Sequence, residues 1–349
     1  MERYSRQIVF SEIGEERQKI LLNSRVAILG LGALGTVSAN NLCRSGIGNL
    51  RLIDRDYVEL SNLQRQMLYD EIDAKERLPK AIAAANHLAK INSEIVIEPV
   101  IKDVNSSNIE DLIKDVDLVL DATDNWEIRF LLNEACHFLK KPWIYCAALG
   151  SEGMTMNIMA GDNNPCLKCF LPNKISNQGQ SCSTFGVLNM ATMAIASVQS
   201  AEALKILISN HRTQNDFDTY SQNPCQWGQL FTIDLWKNHS ANVKFQKNPD
   251  CPVCALGNYE YFGKLSGSYT TNLCGTNSIQ IVPATSINVD FSVLANKLSS
   301  IGNVKYNQYY LNFADNKYEI MLFKDGRAII KNAIDANNAK SIYTEYLGL

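Results

Sequence analysis

The chain lacks the features that mark secreted, membrane and nucleic-acid-binding proteins. Residues 1–7 are polar and have no signal-peptide core, which predicts a cytoplasmic location. The net charge is −3 at pH 7 and no basic stripe is present, so no nucleic-acid partner is expected. The most apolar long stretch, residues 187–208, contains Gln199, Glu202 and Lys205. It is expected to form a buried amphipathic helix, so no membrane contact is predicted.

No internal repeat or low-complexity tract is present, and the composition is that of an ordinary globular protein. Of the 349 residues, 46% are apolar and 20% are charged, which suits a large core and two domains. The chain has 10 cysteines. In a cytoplasmic protein these are expected to be metal ligands, nucleophiles or core residues rather than disulfides.

Strand and helix patterns alternate along the first part of the chain. Short apolar runs predict strands, and runs with helical periodicity follow them. The predicted strands are Arg25–Leu29, Asn49–Ile53, Ile95–Ile101, Asp117–Asp121, Trp143–Ala147 and Met154–Met159. Predicted helices include Lys80–Ile91, Ile109–Lys114 and Trp126–Leu139. This alternation predicts an α/β fold with a Rossmann-like, doubly wound sheet.

The pattern changes after Pro165. Residues 173–183 are polar and predict a long exposed loop, and Asn189–Leu207 predicts a helix rich in small residues. Further strands and helices follow residue 257, and Asp325-Gly326 between two apolar runs predicts a hairpin turn. We therefore predict two domains, 1–256 and 257–349, the second a small α+β domain.

A glycine loop directly follows the first predicted strand. Gly30, Gly32 and Gly35 form the pattern G-x-G-x-x-G, which with Ala33 is a candidate phosphate-binding loop at a helix N-terminus. Asp54 ends the next strand, where a carboxylate can accept hydrogen bonds from ribose hydroxyls. A tight strand–helix turn without a ligand is the alternative, and the glycine pattern alone also suits a dehydrogenase.

A polar cluster beyond Asp54 favours ATP over NAD. Asn62, Gln64 and Arg65 can bind triphosphate oxygens. Lys80, at a predicted helix start, can reach the same phosphates. Asp124 follows a buried strand and is a candidate Mg²⁺ ligand. The alternatives are that Asp124 and Asn125 cap the next helix and that Asp56 lies in a solvated turn. The candidate nucleotide contacts in these segments are Asp54, Asp56, Ser61, Asn62, Gln64, Arg65, Lys80, Asp124 and Asn125.

Two C-x-x-C pairs predict a structural zinc site. Cys166 and Cys169 form the first pair, and Cys251 and Cys254 form the second. Four thiolates complete tetrahedral coordination of Zn²⁺ and leave no open position for catalysis. A redox role would require a thioredoxin-like context, which neither pair has.

Together these residues resemble the ThiF/MoeB family of ATP-dependent adenylyltransferases, which are relatives of the ubiquitin-activating enzymes. The order and spacing of the matching elements agree across residues 1–255, and residues 257–349, with the string 323–328, resemble a tail found on some bacterial members. The matching elements are residues 3–7, the glycine loop, Asp54-x-Asp56, residues 61–66, Pro79-Lys80, and residues 121–125 with Arg129.

The resemblance implies a reaction. Members bind MgATP and a small ubiquitin-like sulfur carrier ending in Gly-Gly, whose terminal carboxylate attacks the α-phosphate to give an acyl-adenylate and pyrophosphate. The adenylate then becomes a thiocarboxylate with sulfur from another protein, such as a desulfurase or a rhodanese. The roles implied by position are ribose binding for Asp54, phosphate binding for Asn62, Arg65 and Lys80, Mg²⁺ binding for Asp124, and contact with the partner subunit's triphosphate in a homodimer for Arg6.

Cys182 is a candidate reactive thiol. It lies just ahead of a predicted helix, and a helix N-terminus lowers the pKa of a thiol. Some family members use a cysteine here for a covalent link to the carrier or to receive sulfur; the alternative is a spare loop thiol. The chain departs from the family pattern at Phe185, at Asn189-Met190, and at Arg77-Leu78, where a glycine is common.

We therefore expect a cytoplasmic, homodimeric, zinc-containing adenylyltransferase that acts on a sulfur carrier for thiamin or molybdenum cofactor synthesis. One alternative is an adenylating enzyme for a ribosomal peptide or RNA, the latter disfavoured by the charge. An NAD-dependent oxidoreductase is disfavoured by Arg65 and Lys80. A scaffold that binds the carrier without turnover is disfavoured, because the residues expected to bind phosphate and Mg²⁺ are all present. These are Arg6, Arg65, Lys80 and Asp124.

Overall fold

The computed structural model describes residues 1–161, 163–171, 185–209, 227–263, 269–272, 278–283 and 287–348, with backbone alone for 269–272. The chain divides into two compact units, Met1–Lys264 and Leu265–Leu349.

The first unit contains an eight-stranded sheet with the order β3-β2-β1-β4-β5-β6-β7-β8. Strands β1 to β5 pair in parallel, and β6 to β8 continue the sheet in antiparallel pairs. The strands are β1 Arg25–Leu29, β2 Asn49–Ile53, β3 Val96–Val100, β4 Leu118–Asp121, β5 Trp143–Leu149, β6 Glu152–Ile158, β7 Gln229–Asp234 and β8 His239–Lys244.

Helices cover both faces of this sheet, as expected for a doubly wound fold. They are α1 Ser5–Ile8, α2 Gly14–Asn23, α3 Gly35–Ser45, α4 Glu71–Glu76, α5 Lys80–Ile91, α6 Ile109–Ile113, α7 Trp126–Phe138, α8 Leu167–Phe170 and α9 Asn189–Ser209. On β1, Val26 and Ile28 pack in the core with α3, α5 and α9, whereas Ala27 and Leu29 pack in the core with α6 and α7. Because both faces are buried, β1 is apolar without alternation.

Helix α9 is long and apolar enough, by length and composition alone, to cross a membrane. In the fold, its residues Ile195, Ala203 and Ile206 are fully buried and pack in the same core as α3 and α5. It is the core helix that the sequence predicts, and its bounds agree closely with the prediction.

Strand β8 and helix α4 were not predicted from sequence. Most of β8 is exposed, so its side chains carry little of the apolar signal on which strand prediction depends. Helix α4 spans only 6 residues and begins at a capping box formed by Asp70 and Asp73. Short capped helices of this kind have too few turns to show an apolar period.

The second unit contains a six-stranded antiparallel sheet with the order β11-β12-β13-β14-β10-β9. Its strands are β9 Tyr269–Asn272, β10 Ser278–Val282, β11 Asn303–Tyr306, β12 Tyr310–Ala314, β13 Glu319–Phe323 and β14 Ala328–Lys331, and its helices are α10 Phe291–Leu298 and α11 Ala336–Ile342. The two helices share a core with inward-facing strand residues such as Leu311, Phe313 and Ile330. A turn with Gly326 at φ +85° joins β13 to β14, as the Asp-Gly pair predicts.

The division between the units falls at residue 264, later than the boundary at 256/257 that composition suggests. A buried carboxylate explains the difference. Glu134 on α7 is 3% exposed and accepts hydrogen bonds from the backbone N–H groups of Glu260, Tyr261 and Phe262 at 3.0, 2.7 and 2.8 Å. Tyr261 also stacks on Phe130 of the same helix. These contacts fix the segment to the first unit.

A chain ending at Lys264 should therefore melt at a higher temperature than one ending at Leu256. The shorter chain leaves Glu134 buried without its N–H donors, at a cost of about 3 kcal/mol. Calorimetry on both chains measures the difference, with Glu134→Ala in the longer chain as the matched control. Equal melting temperatures for all three would contradict this account of the boundary.

Candidate active site

The candidate site lies at the carboxyl ends of β1, β2 and β4, where the strand order reverses and a crevice opens in sheets of this type. The glycine loop leaves β1 at Gly30, whose φ is +88°. A Cβ at Gly35 would lie 1.9 Å from the carbonyl oxygen of Gly30, so the loop closes only with glycine at position 35. Gly32 and Ala33 are partly exposed at its tip, where their backbone can face a ligand.

Asp54 fixes the loop from the neighbouring strand. It is 9% exposed, and its carboxylate accepts hydrogen bonds from the N–H groups of Leu31 at 2.6 Å and Asp56 at 2.7 Å. Burial is the main cause that raises the pKa of Asp54, with Lys80 opposing it. Each carboxylate oxygen has a second lone pair, so this side chain can also accept hydrogen bonds from ribose hydroxyls.

Lys80 reaches the site through a short antiparallel pairing. Tyr57 and Pro79 form a β-bridge, and the N–H of Lys80 donates to the carbonyl oxygen of Asp56 at 2.8 Å. Its ammonium Nζ lies 3.3 Å from Asp56 Oδ2. The structure thus places Lys80 and the Asp54–Asp56 turn, which are distant in sequence, in direct contact.

The ammonium of Lys80 stays protonated although it is buried. Burial lowers its pKa, but Asp56, Asp54 and Asp124 together raise the pKa above its ordinary value. The site therefore holds a buried, fixed positive charge among three carboxylates. Such a charge is suited to binding phosphate oxygens.

Asp124 and Asn125 have different roles in the described structure. The side-chain oxygen of Asn125 accepts from the N–H of Glu127 at 2.8 Å and caps α7. Asp124 is exposed, and no other described residue forms a hydrogen bond or ion pair with its carboxylate. Since it is near enough to raise the pKa of Lys80, it remains available for a cation or phosphate-bound metal.

Arg129 belongs to the framework of the site. It is 5% exposed, its Nε lies 3.2 Å from the fully buried carboxylate of Asp121, and it donates to the carbonyl oxygens of Thr123 and Cys146. Its guanidinium also packs over the ring of Trp126. This buried ion pair stabilises the loop that carries Asp124.

The segment 61–66 approaches the glycine loop along one side. Asn62 is buried, and its Oδ1 accepts from the N–H of Glu59, whereas Ser61 and Gln64 are exposed. Arg65 is half-buried and donates to the carbonyl oxygen of Ser61 at 3.1 Å. Gln66 is 4% exposed and lies next to Gly32.

Tyr69 is a member of the site that sequence reasoning missed. Its hydroxyl donates to the carbonyl oxygens of Leu31 at 2.9 Å and Lys80 at 3.3 Å, so it joins the glycine loop to the start of α5. Burial raises its pKa well above 10, which keeps the phenol a donor. Tyr69 lies in the loop just before the N-cap of α4, and no sequence motif there would have identified it as a site residue.

Arg77 and Leu78 precede Pro79, in the short segment where the family resemblance predicts a glycine. Arg77 adopts φ +48° at the end of α4, a left-handed conformation that glycine reaches at lower cost. Its guanidinium lies 5.7 Å from the centre of the Tyr57 ring. Arg77 therefore supplies a left-handed residue in the segment that leads to Pro79 and Lys80.

The N-terminal segment is anchored on both sides of Arg6. Tyr4 is buried and accepts from Asn92, and Gln7 donates to Gln18 and to the carbonyl oxygen of Ser45. Arg6 itself is exposed and has no hydrogen bond or ion pair with the described residues. Its side chain is therefore free to meet a second molecule.

The four cysteines of the C-x-x-C pairs come together, with all sulfur atoms within 4.8 Å of one another. Cys166 Sγ lies 3.7 Å from Cys251 Sγ, and Cys169 Sγ lies 3.4 Å from Cys254 Sγ. A tetrahedral zinc ion with Zn–S bonds of about 2.3 Å separates its sulfurs by about 3.8 Å. The donor set therefore fits zinc. Cys182 lies outside the described residues.

Comparison with known proteins agrees with the resemblance to the ThiF/MoeB family that the sequence motifs indicate. The ThiF family model matches residues 4–253. The chain belongs to the ThiF family. It is 37% identical over 349 residues to a protein of Bacillus subtilis named sulfur carrier protein ThiS adenylyltransferase, covering 99% of each chain.

Other relatives of this ThiF-family chain match about three quarters of its length. It is 35% identical over 254 residues to the molybdopterin-synthase adenylyltransferase of Escherichia coli, covering 73% of this chain and 96% of that protein. It is 34% identical over 258 residues to the SAMP-activating enzyme E1 of Haloferax volcanii, covering 74% and 90%. The crystal structure of E. coli MccB with ATP has the same fold, with a TM-score of 0.61 at 22% identity, covering 72% and 74%.

Tyr69→Phe in this ThiF-family chain should lower stability. The change removes the single hydroxyl proton that the carbonyl oxygens of Leu31 and Lys80 share, at a cost of about 2 kcal/mol. Because one of these carbonyls is in the glycine loop, nucleotide affinity should fall as well. Thermal unfolding and calorimetric titration with ATP measure both effects. Tyr318→Phe in the second unit is the control, and equal behaviour of the two variants would contradict the role given to Tyr69.

Zinc content offers a separate test of the cysteine cluster. The protein should contain about one zinc per chain, and Cys169→Ser or Cys254→Ser should remove most of it and lower the melting temperature. Elemental analysis after dialysis against a chelator measures the metal. Cys43→Ser, at a buried thiol outside the cluster, should keep its zinc, and zinc retained by the Cys169 and Cys254 variants would contradict the assignment.

Proposed function

We propose that this protein adenylates the C-terminal Gly-Gly carboxylate of a ubiquitin-like sulfur-carrier protein with ATP and releases pyrophosphate. The observation that carries the proposal is the position of Lys80. Its buried ammonium lies beside Asp56 and in the field of Asp54 and Asp124, at the edge of the sheet where the glycine loop opens. ThiF-family membership and relatives named as adenylyltransferases support the same reaction.

The proposed chemistry requires positioning and charge neutralisation rather than a general base. A terminal carboxylate is already ionised at neutral pH, and pyrophosphate leaves without needing a proton. The enzyme must hold the carboxylate in line with the α-phosphate and offset the negative charge that accumulates there. Lys80 and Arg65 supply fixed positive charge on the protein side.

Each of the remaining site residues is assigned to one part of the nucleotide or to its metal. We assign ribose to Asp54, phosphate oxygens to Asn62 and the glycine loop, and the Mg²⁺ that accompanies ATP to Asp124, whose free carboxylate is a hard oxygen ligand. Asp56 holds the ammonium of Lys80 in place. Ser61 and Gln64 are exposed beside these residues, and Asn125 caps α7.

Arg6 is proposed to act in a homodimer. Its side chain is exposed, while the side chains of Tyr4 and Gln7 anchor the segment on either side of it. An exposed arginine on a fixed segment can complete a neighbouring subunit's triphosphate site without ordering a loop. The zinc supplies structure rather than chemistry, because four thiolates fill its coordination. Cys182 is proposed to take part in transfer of sulfur from a donor protein, with a spare thiol as the alternative.

The carrier of thiamin synthesis is the favoured substrate. The relative named for ThiS matches this chain over both units, whereas the molybdopterin-synthase relative matches 254 residues. The second unit is thus shared with the relative named for the thiamin carrier. We place the enzyme in the cytoplasm on the basis of its proposed biosynthetic role.

ATP–pyrophosphate exchange with Mg²⁺ tests the proposal directly. We expect exchange with a ThiS-type carrier ending in Gly-Gly and much less with a molybdopterin-type carrier. The matched control is the same carrier without its last glycine, which should support none. Exchange with a peptide alone would favour the peptide-adenylating alternative, and binding without exchange would favour a scaffold.

Lys80→Ala and Asp124→Ala should each lower the exchange rate by about three orders of magnitude while the protein stays folded. The first removes the buried positive charge, and the second removes the free carboxylate. Exposed residues nearby provide matched controls, Lys90→Ala on α5 and Glu127→Ala on α7, which should exchange normally. Near-normal exchange in either test variant would remove that residue from the site.

A further inference from the structure

A glutamine in the middle of the apolar helix α9 has no part in the proposed chemistry, yet it is fully buried. Gln199 is 0% exposed, and both ends of its carboxamide are used. Its Nε2 donates to the carbonyl oxygens of Asp121 at 2.9 Å and Ile144 at 3.1 Å, and its Oε1 accepts from the hydroxyl of Ser38 at 2.9 Å. A polar group at such a depth is tolerated only because it is satisfied.

The three partners lie on different elements around the crevice. Asp121 is the last residue of β4, and the loop it opens carries Asp124. Ser38 lies on α3, the helix that begins at Gly35 where the glycine loop ends. Ile144 lies on β5, and the paired register of β4 and β5 ends at Leu120 and Ile144. The carboxamide therefore bridges the two strands at the point where their pairing stops.

We propose that Gln199 is a positioning residue that fixes the Asp124 loop relative to the glycine loop. It touches neither nucleotide nor carrier in this account, and the inference rests on the proposed function. Ala122, at the start of the Asp124 loop, lies against Gly30 and Gly35 of the glycine loop, so the separation of the two loops sets where Asp124 stands with respect to the phosphates. A shift of about 1 Å in such a separation can cost about 100-fold in rate.

Helix α9, which carries Gln199, is also anchored at its start. The entry to α9 is fixed to the turn between β5 and β6, because Gly150 N–H donates to Gly186 and Leu188 N–H donates to Gly150. Helix α9 is thus anchored at its start by backbone pairing and at its middle by Gln199. A movement of this helix would shift Gln199 and, through its hydrogen bond, the carbonyl group of Asp121.

The test variant is Gln199→Met, which keeps the length of the side chain and removes its hydrogen bonds. Thr192→Val is the matched control, since Thr192 is buried on the same helix and its hydroxyl bonds to Asn189 of that helix. In ATP–pyrophosphate exchange we expect kcat to fall about 10-fold to 100-fold for Gln199→Met, with little change in the KM for ATP. The control should stay near the wild-type rate.

Hydrogen exchange provides a readout that does not depend on activity. Amides of residues 30–35 and 121–125 should exchange faster in Gln199→Met than in Thr192→Val. A wild-type protein without pyrophosphate exchange would overturn the proposed function, and the amide comparison would still decide this inference. Equal kcat and equal amide exchange in the two variants would overturn the role of Gln199.

If Gln199→Met does not fold, Ser38→Ala replaces it, because it removes only the bond to Oε1. A slower kcat with normal melting would then support the inference. A Ser38→Ala protein indistinguishable from Thr192→Val would overturn it.

Discussion

The site depends on one ion pair, between the buried ammonium of Lys80 and the partly exposed carboxylate of Asp56. Burial of an unpaired ammonium is costly, and here the carboxylates of Asp56, Asp54 and Asp124 outweigh that cost and keep the charge. The pair also requires the bridge between Tyr57 and Pro79, so the backbone that follows β2 and the start of α5 must meet. The fold therefore sets the position of this charge. Asp54 and Tyr69 both bind Leu31 and hold the glycine loop beside it.

A framework of satisfied polar groups surrounds this pair. Arg129 and Asp121 neutralise each other under the loop that carries Asp124, and Gln199 binds the carbonyl oxygen of the same Asp121. Each of these groups is buried, so each limits how the loop can move. Elsewhere in the first unit, Glu134 and the cluster of Cys166, Cys169, Cys251 and Cys254 hold separate segments together in a similar way. A site that works by positioning benefits from such rigid surroundings.

Local patterns were sufficient to predict much of this molecule. The parallel strands, the glycine loop, the ribose-binding candidate Asp54 and the C-x-x-C pairs all depend on short spacings that one sequence displays. The contacts of Tyr69, Gln199, Glu134 and Arg129 were not predicted, since each joins segments that only the tertiary fold brings together. Strand β8 was missed because its exposed side chains lack an apolar period.

The most direct test of the account is detection of the acyl-adenylate itself. Mass spectrometry of a ThiS-type carrier, incubated with the protein and MgATP in the presence of pyrophosphatase, should show the gain of one adenylyl group at the C-terminal glycine. The gain should disappear with the Lys80→Ala variant or with a carrier lacking the last glycine. An unmodified carrier, from folded and zinc-replete protein that binds both ATP and carrier, would contradict the central claim.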